Sequence, residues 1–287
     1  MKINKVLVIG AGTMGSGIAW WFSSLGITVH LNDESSEQLT RAKKYCEEQT
    51  LKWANKNKLD QSVTLSLLNI ISYIKKDELH TDYDLVIEAI VENLEIKKNL
   101  FEFLDQKLDQ HTIFASNTSS FPIELMAANL STERKNKFLG LHFFNPAPIM
   151  KLVEVISSVH TDKKLSDELY GWFESKGKVP AHCKDSPGFI VNRVARNFYG
   201  EPLRIAAVED ESRFREIDTV LKEVGGFRMG PFELMDLIGI DVNYSVTCSV
   251  WNAYQQEPRF APHPLQENLV KEKRLGRKTK RGFYHYE

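Results

Sequence analysis

Hydrophobic positions in the first part of the chain gather into short runs, set apart by longer stretches with helical spacing. Lys5–Ile9, Thr28–Leu31, Leu85–Glu88, Thr112–Ala115, Phe138–His142 and Leu152–Ile156 read as strands, and a further one lies near Lys178–His182. Short strands alternating with helices predict an α/β domain built on a parallel sheet. The interval before Leu85 is too long for a simple crossover. Within it Glu37–Asn57 is strongly helical and rich in lysine, so an inserted helical hairpin is expected. After Asp185-Ser186-Pro187-Gly188 the pattern turns wholly helical from Phe189 to near Leu275, with breaks at Gly225-Gly226, Met229-Gly230-Pro231 and Pro258–Pro264. Residues 1–186 and 187–287 are therefore read as two domains hinged at Pro187-Gly188.

The 287 residues are 42% hydrophobic and 26% charged, which fits a folded globular protein with two cores. With 37 Lys and Arg against 38 Asp and Glu, the net charge of −1 favours neither a nucleic-acid nor a membrane partner. Cys46, Cys183 and Cys248 stand far apart. They suit a reducing compartment, the cytoplasm, and form no C-x-x-C site, so no metal is expected. No apolar stretch approaches the ~18 residues of a membrane span, and a strand starting at Lys5 leaves no room for a targeting segment.

The first strand leads into Gly10-Ala11-Gly12-Thr13-Met14-Gly15 and then a helical run, Ser16–Leu25. G-x-G-x-x-G between a strand and a helix marks a dinucleotide site. Gly10 permits the tight turn, Gly12 clears space for a pyrophosphate, and Gly15 lets helix and strand pack closely. The helix start adds unpaired N–H groups and a positive dipole end. The second strand ends at Asp33, about twenty residues on, where a carboxylate binds a ribose 2′-hydroxyl and repels a 2′-phosphate. Glu34-Ser35-Ser36 follows without a basic residue, which favours NAD over NADP. FAD is disfavoured because no second fingerprint occurs.

Phe138–Pro146 reads as a strand ending in a loop, and alternation places His142 on the face opposite Leu141 and Phe143. Glu154 lies inside the apolar strand Leu152–Ile156, where an unpaired carboxylate is costly. If the two strands are neighbours, His142 is its obvious partner. Such a pair suits proton transfer, because the carboxylate fixes the imidazole tautomer and stabilises the imidazolium. Taken singly, the two have plainer readings: a core histidine and a strand-end glutamate. Ser116-Asn117-Thr118-Ser119-Ser120 ends another strand, at the edge where ligands bind in parallel sheets; Ser120 is also placed to cap a helix around Ile123–Ala128.

Together with Gly10–Gly17, the blocks Val86–Leu94, Phe114–Ser120, Gly140–Val155, Pro187–Arg193, Met229–Gly239 and Gly276–Tyr284 occur in an order that resembles the L-3-hydroxyacyl-CoA dehydrogenases over essentially the whole chain. The resemblance implies a Rossmann-like NAD-binding domain followed by an all-helical domain that binds substrate and forms a homodimer. It implies oxidation of (S)-3-hydroxyacyl-CoA to 3-oxoacyl-CoA and the reverse, on short chains such as 3-hydroxybutyryl-CoA. His142 is implied as acid/base and Glu154 as its partner, with Ser119 and Asn192 holding the substrate's 3-oxygen and thioester region. The implied NAD positions are Gly10, Ala11, Gly12, Thr13, Met14, Gly15, Asp33, Glu92, Lys97, Ser119, Asn145 and Lys278. Lys44 and Lys56 align with lysines of a CoA-binding helix. Residues 44, 48, 52 and 56 share one helical face, broken by Glu48; a solvated charged face is the plainer reading.

Two positions depart from the family pattern. Pro202 falls inside a long helix, which it is expected to kink or break, and Lys280 stands where glycine is usual, altering the turn near Lys278. The segments around Arg193–Tyr199 and Gly226–Pro231 look closer to a 3-hydroxyadipoyl-CoA branch, whose members usually carry a second helical domain; Arg193 or Arg196 would then meet a second carboxylate. Dehydrogenation of a non-CoA 3-hydroxy acid and a non-catalytic dinucleotide-binding role stay open as alternatives. The intact His142, Glu154, Ser119 and Asn192 set argues against the latter.

Overall fold

The computed structural model describes every residue, Met1–Glu287, and the chain divides into two compact units, Met1–Ser186 and Pro187–Glu287. The first unit runs β1 (Lys5–Ile9), α1 (Thr13–Ser24), β2 (Thr28–Asn32), α2 (Ser36–Asn57), α3 (Gln61–Leu68), β3 (Ile71–Ile74), β4 (Leu85–Glu88), α4 (Leu94–Lys107), β5 (Ile113–Ser116), α5 (Ile123–Met126), α6 (Thr132–Asn136), β6 (Phe138–Phe143), β7 (Leu152–Ser157), α7 (Lys163–Ser175) and β8 (Val179–Lys184). The eight strands form one sheet in the order β3-β2-β1-β4-β5-β6-β7-β8. The order reverses after β1, which is where a doubly wound sheet opens a ligand crevice.

The short apolar runs become strands because both faces of the sheet are covered: β1, β4 and β5 are buried along almost their whole length. Aromatic side chains seal one face. Phe22 of α1 stacks on Trp172 of α7 at 5.7 Å, and Trp21 stacks on Phe173 at the same distance. Each such ring is worth about 1.5–3 kcal/mol of burial. The lysine-rich stretch is the long helix of a hairpin, α2 with α3, capped at its start by Ser35 accepting from the Gln38 amide.

Four expectations change. The sheet is mixed, since β6 and β7 pair antiparallel. β3 is an additional strand: Ile71–Ile74 buries only its two end isoleucines at the sheet edge, which leaves little periodicity to read. Ser120 caps no helix. The first amides of α5, those of Ile123 and Glu124, donate instead to Asp185, while Ser120 Oγ donates to Glu92. And Pro202 does not break its helix.

That helix is α8 (Val191–Ala206), first in a second unit that continues with α9 (Glu211–Glu223), α10 (Pro231–Ile238), α11 (Ile240–Ala253) and α12 (Pro264–Lys271). Pro202 lies one turn from its end, buried beside Leu203, so a single backbone hydrogen bond is lost and packing offsets it. The core gathers Phe214, Phe232, Met235, Ile240, Leu269 and Phe283. Two buried carboxylates stitch the chain end to it. Asp218 accepts from the Phe232 and Glu233 amides and the Tyr284 hydroxyl; Asp236 accepts from the Phe283 and Tyr284 amides and the Tyr286 hydroxyl. Burial pushes both carboxyls above their usual range against these hydrogen bonds. Lys280 adopts the left-handed conformation, φ 59°, that glycine normally takes, while Lys278 pairs with Asp241 at 2.6 Å. No helix is long and apolar enough to cross a membrane.

Candidate active site

The glycine loop forms the floor of a cavity of about 600 Å³ lined by Gly10, Gly12, Asn32, Asp33, Ala89 and Phe103, among others. Gly10 has φ 103°, and a Cβ there would fall on the Ala89 carbonyl. Gly12 has an ordinary backbone, yet nothing stands within 4 Å of the place its Cβ would occupy, so the glycine keeps space open at the start of α1. No side chain caps that helix, whose first turn is Thr13-Met14-Gly15. Asp33 holds the loop, its Oδ2 accepting from the Ala11 amide at 2.8 Å and its Oδ1 from the Ser35 amide at 2.7 Å. A carboxylate oxygen has lone pairs to spare for a further donor. An uncapped helix start, a cleared approach and an acidic end suit a dinucleotide with an unmodified ribose.

Next along the sheet, Lys97 is buried and shared by two carboxylates, at 2.8 Å from Glu88 and 2.8 Å from Glu92. Glu88, also buried, accepts from the Ile90 amide and from Ser116 Oγ. Glu92 accepts from Thr118 Oγ, Ser120 Oγ and the Ser119 amide. The loop carrying Ser119 is therefore clamped from below by a buried charged network. Burial raises the Glu88 carboxyl in spite of Lys97. At Glu92 burial pulls the same way, but Lys97 and the two hydroxyls outweigh it and leave the carboxyl below its usual range. Glu88 carries no functional reading in the sequence, and Ser116 and Thr118 stand there only as part of a polar strand end, without their partners. A polar strand end carries no distinctive signal until its partners, nine and 28 residues away, are known.

On the antiparallel pair, His142 stands directly opposite Glu154. Its Nδ1 lies 2.6 Å from Glu154 Oε2, with both side chains buried. Antiparallel pairing brings together what spacing alone left open. Asn117 Oδ1 accepts from the Phe143 amide at 2.9 Å, tying the Ser119 loop to the strand of His142. Asn145 is exposed in the loop that follows.

The remaining candidates lie elsewhere. Lys44 and Lys56 are exposed on α2, with Glu48 and Lys52 on the same solvent face. Asn192 belongs to the first turn of α8 in the second unit, where Lys278 also lies. Arg196 is not presented to a ligand: it is buried, and its guanidinium donates to the Asn192 and Asn243 carbonyls and to Thr247. Arg193 lies 4.7 Å over the Tyr254 ring.

Residues 5–186 match the family model described as 3-hydroxyacyl-CoA dehydrogenase, NAD binding domain, and residues 188–286 match its C-terminal domain. The chain is 42% identical over 290 residues to the mitochondrial hydroxyacyl-coenzyme A dehydrogenase of Rattus norvegicus, covering 99% of this chain and 91% of that protein. It is 43% identical to the 3-hydroxyadipyl-CoA dehydrogenase of Escherichia coli, covering all of this chain and 60% of that one. Among solved structures, a 3-hydroxybutyryl-CoA dehydrogenase from Escherichia coli superposes with a TM-score of 0.93 at 42% identity; this chain spans 60% of its length.

Proposed function

The chain belongs to the 3-hydroxyacyl-CoA dehydrogenase family, and from that premise we propose how its own residues divide the work. It is an NAD-dependent dehydrogenase of 3-hydroxyacyl-CoA. We propose that His142 is the acid/base. With Nδ1 held by Glu154, Nε2 is the nitrogen that takes the proton from the substrate's 3-hydroxyl in oxidation and returns it to the 3-oxo oxygen in reduction. Glu154 fixes the tautomer and balances the imidazolium. Ser119 and Asn192 orient the substrate oxygen and thioester. Asp33, the glycine loop, Glu92, Lys97, Asn145 and Lys278 receive the cofactor, and Lys44 and Lys56 the nucleotide end of CoA. Bound NAD supplies the hydride acceptor; the protein supplies orientation and proton transfer. The observation that carries this reading is the 2.6 Å His142–Glu154 contact on adjoining buried strands.

The proposed substrate is the (S) enantiomer of a short chain such as 3-hydroxybutyryl-CoA. The similarity to a protein named for 3-hydroxyadipyl-CoA keeps that dicarboxylic thioester as a second reading, though Arg196 is committed to the unit's interior. The proposed location is the cytoplasm, which suits three free cysteines. A homodimer is proposed through α8 and α9. An apolar cavity of about 630 Å³ lies there between Phe198, Pro202, Ile205, Ile217 and Val220, with Val194, Val208 and Val224 exposed nearby. A second copy of this chain is its proposed occupant.

The test is NADH consumption with acetoacetyl-CoA, run beside NADPH, free acetoacetate and 3-oxoadipyl-CoA. Consumption that requires both NADH and the thioester is expected. Tight NADH binding with no turnover of either thioester would overturn the assignment of roles.

A further inference from the structure

Lys178, just before β8, is a buried cation that the proposed chemistry does not use. Its ammonium donates to the carbonyls of Ala147, at 2.5 Å, and Met150, at 2.8 Å. It sits 4.7 Å from the centroid of the Trp21 ring and 5.8 Å from that of Phe143. No carboxylate is within ion-pair distance. An ammonium held without a counter-charge is among the costlier things a fold can bury, and a methionine would fill a similar volume without that cost. The return has to lie in what the ammonium holds.

It holds three parts of the site at once. Ala147 and Met150 belong to the loop, residues 144–151, that follows β6 one residue beyond His142 and carries Asn145. The amides of Ile149 and Met150 both donate to the Pro146 carbonyl, which curls the loop so that its outer carbonyls converge on one donor. Trp21 lies on α1, the helix behind the glycine loop. One turn earlier, at Gly17, that helix passes close to the loop: a Cβ there would stand 3.4 Å from Ala147 and Pro148. Phe143 is the neighbour of His142. We propose that Lys178 is a positioning residue: its protonated amine pins the 144–151 loop to the nucleotide helix and to the end of the acid–base strand. The proposal rests on the reading that His142 and Asn145 serve the reaction.

The surroundings give the clamp a pH dependence. From α1 the amine faces Trp21, from β6 Phe143, and from the loop two carbonyls; the Lys178 amide itself donates to Phe173 of α7. None of these titrates. The charged residues flanking it in sequence are Glu174 and Lys176, and the Lys176 amine lies over Trp172. Burial alone therefore pulls the Lys178 amine down to about 8. Above that pH the amine keeps its position but loses its charge, its attraction to the indole and the strength of two charge-assisted hydrogen bonds. The linkage sign runs the other way for the whole protein. Between about 8 and the unfolded value near 10.5 the unfolded chain binds more protons, so this group's contribution to stability rises with pH. A loop opening that leaves the amine in its aromatic pocket strips only the two carbonyl acceptors and becomes easier once the charge is lost, whereas global unfolding, which hydrates the amine, becomes harder. General alkaline unfolding would move both in the same direction.

The experiment is hydrogen exchange of the wild-type chain near pH 7 and about pH 9.5, corrected for the intrinsic rate, beside pH profiles of kcat/KM for wild type, Lys178→Met and Lys178→Arg. Protection of the Ile149 and Met150 amides is expected to fall about tenfold at the higher pH while β6 and β7 amides hold, and Lys178→Arg is expected to keep that protection. Wild-type kcat/KM is expected to decline on an alkaline limb near pH 8. In Lys178→Met that limb is expected to be absent, and kcat/KM already about tenfold lower at neutral pH. Protection indifferent to pH, or wild-type kcat/KM in a folded Lys178→Met, would overturn the proposal. If Lys178→Met does not fold, the wild-type exchange decides. If wild type turns over no acyl-CoA, the functional reading fails while the exchange arm still judges the clamp.

Discussion

His142 and Glu154 are each ambiguous alone and informative as a pair. His142→Gln keeps the size of the side chain but removes the titrating group, so kcat is expected to fall about 10²–10⁴-fold. Fluorescence titration should find the NADH dissociation constant within a few-fold of wild type, and comparable losses in both would sink the acid/base role. Glu154→Gln is also expected to lower kcat, since an amide can keep the ring in place but neither fixes its tautomer nor balances the imidazolium. At this scale the glycine loop, Asp33, His142 and Glu154 were legible, because each rests on a local pattern: a turn between strand and helix, or a polar residue in an apolar strand. Glu88 and Lys178 were not, and Ser116 and Asn117 were legible only as members of a polar strand end, not in the contacts they make. Each looks like an ordinary strand end or surface residue, and its importance comes from partners supplied by other elements.

Helix α2 presents lysines to solvent along one face, and surface cations are worth little unless a ligand meets them. If CoA does, Lys44→Glu and Lys56→Glu should raise KM for acetoacetyl-CoA about two- to fivefold each at low salt, with kcat unchanged. A thioester on a short pantetheine-like thiol, lacking the nucleotide, should respond to neither change; equal responses would point to a distorted helix. The terminal segment makes a different prediction. Asp236→Ala strands the buried amides of Phe283 and Tyr284, at a cost of about 1–3 kcal/mol apiece. The urea midpoint of the helical unit should drop and the last residues become open to carboxypeptidase; an unchanged midpoint with a resistant tail would contradict the stitching role. Most elements could be read from periodicity because the sheet is covered on both faces. β3 escaped because it is short and half-exposed. The antiparallel turn into β7 escaped because strand direction leaves no mark on hydrophobic spacing.

For the molecule as a whole, each unit carries its own hydrophobic core, and the helical one also keeps an apolar cavity and exposed valines on α8 and α9. Light scattering should find twice the mass of the 32.9 kDa chain, and Val220→Asp, at an already exposed position, should return it to the single-chain mass. A monomeric wild type at high concentration would remove that proposal without touching the chemistry. The two-unit division was visible as a change from mixed to helical patterning at Pro187, whereas the mixed sheet was not. That sheet has a further consequence, one of timing. His142 and Glu154 are separated by 12 residues and lie on strands joined by one short loop, while the parallel strands of the nucleotide half need crossovers through helices. Loop-closure entropy and contact order both favour the short hairpin. Pulsed labelling during refolding is therefore expected to protect β6 and β7 ahead of β1 to β4. The part of the molecule proposed to move the proton would be built before the part that holds the cofactor.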